Sequence, residues 1–377
     1  MDRYTVPQPM PRPDYVFYHT PTPDEMRQRA VKAMNDFLSI QWRTHTKIAH
    51  SKVGAVRYKR FIYEKDNTYG GLPYTDAGRG LFQFLEFYDH ETGRLKFYGD
   101  GQEFNQRIGG TCACGVCWSL STVCSDLGGN YVNFWMTPKY GYLPVGGYKI
   151  PEGLEEFRDY HTSKIIADTG VEEMMECYSK IQPADAVSSS DRDHTMMCID
   201  YPHVERNEDG TIDPEKSYVM VADQRGGTGL VGFYDERIDD DIIHHSGRTS
   251  YKCTYKELLS ACYIPLTTPE FMGLKPYERA KVTFSDPDCS TREQLIAGSV
   301  CSNYPMAVIK LMVTRGNGYR EMADRYMTNR WDPLNGKARC YNLEPMAEAI
   351  RNAEGVKLEL EVTTANGEVI IPVSIDL

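Results

Sequence analysis

The sequence predicts an α+β protein in which a cysteine-bearing helix packs on antiparallel strands and a smaller, mostly β unit follows. Three observations lead there. Cys112, Cys114, Cys117 and Cys124 fall on a glycine-flanked segment whose apolar residues recur at helical spacing. Two continuous apolar runs, His194 to Tyr201 and Ser217 to Asp223, flank a polar loop at 205–211 and read as an antiparallel pair of buried strands. Beyond residue 270 the pattern changes to β-hairpins.

The 377 residues suggest two domains, or three small ones. The expected division is an N-terminal arm and helix packing on the core (1–50), a catalytic domain (51–270) and a β domain (271–377). Lys and Arg number 42 against 53 Asp and Glu, a formal net charge of −11. That disfavours nucleic acid or an anionic membrane surface as the main partner. A hydrophobic fraction of 41% with 25% charged residues excludes disorder over most of the chain. No run reaches the roughly 18 apolar residues of a membrane span. The opening Met1-Asp2-Arg3-Tyr4 has neither the basic nor the apolar region of an export signal. A cytoplasmic chain and a secreted chain whose signal has been removed would both read this way.

Residues 1–22, rich in Pro and Tyr, read as an extended arm. Thr22-Pro23-Asp24-Glu25 signals a helix start: an N-cap Thr, Pro at the first position and acids in the first turn. The apolar residues from Met26 to Ile40 then give that helix one buried face. Thr68 to Tyr74 is a loop by composition. Val116, Leu120, Val123, Cys124 and Leu127 make an amphipathic helix expected to begin near Cys117 and to end at Gly128-Gly129. Glu152 to Phe157 and Val171 to Lys180 read as helical. Met306 to Thr314, followed by Arg315-Gly316-Asn317-Gly318, and Val356 to Thr363, turning at Asn366-Gly367, read as hairpins.

A thiol at a helix start can become a nucleophile, because the free N–H groups and the helix dipole favour the thiolate. Cys117 is the expected nucleophile, and His194, opening a buried strand, is the expected base. Asp223, ending the adjacent strand, is the residue expected to orient it, with Gln224 beside it as the alternative. His203, His244 and His245 are possible substitutes for the base. Cys124 and Cys198 read as core thiols. A zinc site on Cys112, Cys114 and Cys117 lacks a second cysteine pair, and Asp239-Asp240-Asp241 reads as a solvated loop with calcium as the minority alternative. The expected chemistry needs neither metal nor organic cofactor.

Cys114-Gly115-Val116-Cys117-Trp118-Ser119 resembles the nucleophile segment of papain-like cysteine peptidases, a Cys followed by Trp at a helix start. Asp193-His194 resembles that family's base segment, and Tyr218 to Gly226 its orienting strand, with Asp in place of the usual Asn. Thr111 stands where papain has its oxyanion glutamine. The order of elements is similar to the NlpC-type cell-wall peptidases of the same superfamily. Gly71-Leu72-Pro73-Tyr74 resembles their loop whose tyrosine lines the oxyanion site, and Ile181 to Val187 their Pro-Asp turn before the base. The resemblance, over about 55–230, implies a papain-like core and hydrolysis of amide bonds in peptides or peptidoglycan stem peptides. By it Tyr74, with Trp118 and Gln224, would lie at the oxyanion or substrate site. The C-terminal unit resembles an immunoglobulin-like β-sandwich. A transglutaminase-like acyl transferase shares the Cys-Trp, His, Asp order, and a non-catalytic binding protein on the same fold is a further alternative. Substrate choice is expected in the loops at 131–150 and 225–250.

Overall fold

The computed structural model describes residues 7–51, 60–125, 127, 133–228, 247–328 and 339–377. The pair His244-His245, the acidic run at 239–241, Gly128-Gly129 and most of the loop at 225–250 lie outside them.

Helix α1 (Pro23–Ser39) starts as the sequence predicts. Thr22 accepts from the Glu25 backbone N–H while the Glu25 carboxylate accepts from the Thr22 N–H, a reciprocal capping box. Its buried face, Met26, Ala30, Ala33, Met34, Phe37 and Leu38, packs against the cysteine helix. Four short strands follow, β1 (Gln41–Trp42), β2 (Ile48–His50), β3 (Phe61–Tyr63) and β4 (Tyr69–Gly70), pairing as β1 with β4 and β2 with β3. Next come α2 (Leu81–Leu85), α3 (Gly101–Arg107) and α4 (Cys112–Leu120).

The central sheet has six strands: β5 (Leu143–Pro144), β6 (Ala186–Ser189), β7 (His194–Cys198), β8 (Tyr218–Gln224), β9 (Gly247–Thr254) and β10 (Ile264–Thr267). Their order is β5-β10-β6-β7-β8-β9, every neighbouring pair antiparallel. The expected β7–β8 pair is thus present, and α4 packs across both strands. Helices α5 (Thr162–Thr169), α6 (Val171–Tyr178) and α7 (Tyr255–Ser260) complete this part of the chain. Arg27 of α1 is 4% exposed and donates to Asp185 Oδ1 at 2.7 Å and to the Pro183 carbonyl at 2.8 Å. A buried ion pair therefore pins α1 to the turn that enters β6.

Two helix expectations are corrected. Residues 152–157 form turns and irregular backbone, with Gly153 at φ +74 interrupting any helix there; α5 starts at Thr162. The cysteine helix runs from Cys112 to Leu120 and does not reach residue 127. At its end the Thr122 hydroxyl donates to the Ser119 carbonyl at 2.7 Å, and the N–H groups of Thr122 and Val123 reach back only three residues, so helix gives way to tight turns.

Past residue 270 come β11 (Val282–Phe284), α8 (Arg292–Ala297), β12 (Ser299–Ser302), β13 (Met306–Thr314), β14 (Arg320–Met327), β15 (Arg339–Asn342), α9 (Ala347–Asn352), β16 (Lys357–Thr364) and β17 (Val369–Asp376). They form two antiparallel sheets, β11-β12-β15 and β14-β13-β16-β17, and both expected hairpins are there. Val282, Phe284 and Val300 from one sheet share a core with Ile309, Leu311, Val313, Leu358, Leu360 and Val362 from the other. Cys301 and Cys340, directly opposite in β12 and β15, are disulfide-bonded, and the other nine cysteines are free thiols. This unit is braced on the first by Lys310 on Glu86 (2.8 Å), by Gln83 on the Thr328 carbonyl (2.9 Å) and by Arg339 on the Ser125 carbonyl (2.8 Å). Among the described residues no helix is long and apolar enough to cross a membrane.

Candidate active site

The first helical residue of α4 is Cys112, after an extended N-cap Thr111. The N–H groups in this first turn have no partner within the helix, and the helix dipole favours negative charge there. Gly109 and Gly110 dock this helix start onto the Tyr74 loop. The Gly110 N–H donates to the Pro73 carbonyl at 3.0 Å, and the Thr75 N–H to the Gly110 carbonyl at 3.2 Å. Gly109 is at φ +89, and a Cβ there would lie 2.1 Å from the Pro73 oxygen, so only glycine permits the approach. Tyr74 consequently lies beside the Cys112 side chain. Burial, and then the charge of Cys112, push the Tyr74 hydroxyl well above its ordinary pKa, which keeps its proton in place.

His194, the first residue of β7, points one ring nitrogen, Nε2, at Asp223 Oδ2 (2.7 Å), and Cys112 lies beside its ring. Burial alone would lower the imidazole pKa. The charge of Cys112 and the bond to Asp223 overcome that and raise it to about 10. Asp223 is fully buried on β8; burial raises its pKa, but the His194 bond and charge and the Arg225 guanidinium outweigh it and hold the carboxyl low. Cysteine, histidine and aspartate so lie together, with the imidazole bonded to the carboxylate. The Cys112 Sγ is also 4.0 Å from the Asp193 carbonyl. Asp193 itself has φ +49, a strained conformation for a non-glycine residue and one that clusters at functional sites.

Cys117 is not in this group. It lies on the second turn of α4, 4% exposed, its thiol against the Tyr142 hydroxyl at 3.2 Å, and burial pushes its pKa up to about 12. Its backbone N–H is inside the helix and already committed. The expected nucleophile is corrected accordingly: the structure brings Cys112, not Cys117, to His194. Trp118 is also away from the site. It donates to the Gly78 carbonyl at 3.2 Å, lies flat on Gly80, and sits among Tyr15, Phe37, Leu81 and Phe82. Its role is packing. Gln224 does not contact the histidine; its amide donates to the Leu72 carbonyl at 2.6 Å and so fixes the Tyr74 loop from the strand side. His203 is turned outward onto Glu205 at 3.0 Å.

Three further side chains surround the site without having been singled out in the sequence. Arg225 donates from Nε to Asp223 Oδ2 at 2.9 Å and from Nη2 to the Tyr251 hydroxyl at 2.8 Å, its guanidinium 4.6 Å over the Tyr251 ring. Tyr263 stands edge-on to His194, ring centroids 6.3 Å apart. Cys112 carried a readable signal, since Gly-Gly-Thr before it is an N-cap signature and places the helix start at 112. The three thiols of the segment face Tyr142, Thr111 and His194 separately. Among the described residues no group of three or more His, Cys, Asp or Glu is arranged to hold a metal ion.

A cavity of about 770 Å³ lies elsewhere, between α6 and residues 209–212. It is lined by Glu172, Glu173, Glu176 and Asp209 and shares no residue with the site. Comparison of the whole chain with protein-family models, with curated proteins and with solved structures returned no match.

Proposed function

We propose that this protein is a thiol amidohydrolase of the papain-like superfamily, closest to the NlpC-type enzymes, acting on a peptide or peptidoglycan stem peptide. The observation that carries the reading is the Cys112–His194–Asp223 chain built on a helix N-terminus. Cys112 Sγ attacks the amide carbonyl, and the oxyanion is held by the Cys112 backbone N–H and the Tyr74 hydroxyl. His194 then gives its proton to the departing amine, leaving a thioester on Cys112. Water, deprotonated by His194, releases the acid and restores the thiol. Asp223 holds the imidazole in one orientation throughout. With Cys112 as nucleophile the next residue is the small Ala113, as is usual in the cell-wall enzymes. The two C-terminal sheets are read as a β-sandwich accessory unit.

Alkylation tests the reading without a known substrate. Iodoacetamide at pH 7 is expected to label Cys112 at least about 10-fold faster than any other thiol, because an imidazole lies beside it. Peptide mapping by mass spectrometry gives the ranking. Cys262 is the most exposed of the free cysteines. If it reacts as fast as Cys112, the thiol is not activated and the chain is a binding protein. On a cleavable stem peptide, Tyr74→Phe is expected to lower kcat by roughly 10²-fold with little change in KM, the signature of a lost oxyanion donor.

A further inference from the structure

Asp223 has two carboxylate oxygens, and they are used unequally. Oδ2 accepts from both His194 (2.7 Å) and Arg225 (2.9 Å), whereas Oδ1 is buried with no partner among the described residues. The guanidinium is itself held from behind by the Tyr251 hydroxyl at 2.8 Å and by that ring's face. We propose that Arg225 is the positioning residue of this site, clamping the Asp223 carboxylate by the same oxygen that holds His194 and thereby setting the charge of the whole Cys112–His194–Asp223 chain. The proposal rests on the amidohydrolase reading and adds a fourth member to its machinery.

The physical need for such a residue is visible in the burial. A carboxylate taken fully out of water costs several kcal/mol unless neighbours restore its solvation, and one imidazole bond satisfies a single lone pair. With only that bond the carboxyl group could rotate toward Oδ1 or take up a proton. A second donor on Oδ2 removes both options. It also divides the negative charge that His194 feels, so the imidazolium is stabilised without being locked in the protonated state. The groups facing this chain are Cys112 from α4, Tyr74 from the loop before α2, Asp193 ahead of β7, Tyr251 and Cys253 from β9, and Tyr263 ahead of β10. Arg248 stands opposite Asp223 in the β8–β9 register. Arg225, bonded to Asp223, carries a permanent positive charge.

Removing a positive charge raises the proton affinity of every neighbouring acid and base alike. In Arg225→Gln the acid limb of Cys112 alkylation by iodoacetamide, followed from pH 4 to 10, is therefore expected to move upward by about half to one pH unit, a modest figure because the guanidinium is part-exposed. Arg225→Lys, which keeps the charge but not the two-pronged geometry, is expected to restore the midpoint while the rate plateau stays several-fold low. A brace with no electrostatic part would lower the plateau and leave the midpoint in place. An unmoved midpoint in a folded Arg225→Gln protein overturns the inference. Absence of selective Cys112 labelling in the unaltered protein instead overturns the amidohydrolase reading, so the two failures are distinct. Should Arg225→Gln not fold, Tyr251→Phe frees the far end of the guanidinium and carries the same test: a smaller upward shift supports the clamp, and none overturns it.

Discussion

Cys112→Ala is expected to abolish amide hydrolysis, a loss of about 10⁴-fold or more in kcat/KM, while the fold survives. The side chain is 5% exposed, and its partners His194 and Asp223 keep their own bond, so little packing is lost. The informative comparison is Cys117→Ala. That thiol is equally buried but bonds the Tyr142 hydroxyl rather than an imidazole, so turnover is expected to persist with a stability cost of about 1 kcal/mol. Hydrolysis of a panel of stem peptides, followed by chromatography for both variants, decides the matter. A Cys112→Ala protein that still cleaves would sink the assignment, and so would a Cys117→Ala protein that is well folded and inert.

The largest stability effect is expected far from the chemistry, at Arg27. Its side chain and that of Asp185 are 5% and 2% exposed, and the Arg27 guanidinium also holds the Pro183 carbonyl and stacks 4.6 Å over Phe271. Replacing Arg27 by Ala leaves a buried carboxylate without its counter-charge, a loss of about 3–5 kcal/mol. Burial already pushes the Asp185 pKa up against the pull of Arg27, so in the variant this carboxyl is expected to take up a proton on folding. Urea unfolding at pH 7 is the measurement. Arg27→Met combined with Asp185→Leu should recover much of the loss, because neither charge then needs a partner. If the single variant unfolds at the unaltered midpoint, the pair does not hold α1 to the sheet.

Much of the architecture was legible because it rests on local rules. The capping box at Thr22 and Glu25, the apolar runs of β7 and β8 and the turn at Asn366-Gly367 are each specified within a few residues. His194 and Asp223 followed from the strands, since each sits at the end of a readable apolar run. The sequence points to Cys117 rather than Cys112 as the thiol beside His194 because Trp118 follows Cys117. Its indole is used in packing between α4 and the Gly78–Gly80 turn, a tertiary fact with no local trace. Arg225 was illegible for a related reason. Its partner Asp223 lies two residues earlier, but its other partner, Tyr251, arrives from a strand 26 residues later. The sequence leaves open whether Asp223 or Gln224 orients the histidine, and in the structure Gln224 bonds the Leu72 carbonyl, because nothing in the sequence tells which loop lies behind the strand.

The end of β8 also has a hereditary consequence. Asp223 serves His194 on the neighbouring strand and Gln224 serves the Leu72 carbonyl, because consecutive side chains leave a strand in opposite directions. Two adjacent codons therefore hold His194 and the Tyr74 loop. Deleting or inserting a single residue in 218–222 would exchange their outlooks and disable both at once. Descendants of this gene can vary these strand residues by substitution, yet across this stretch they should keep the same length.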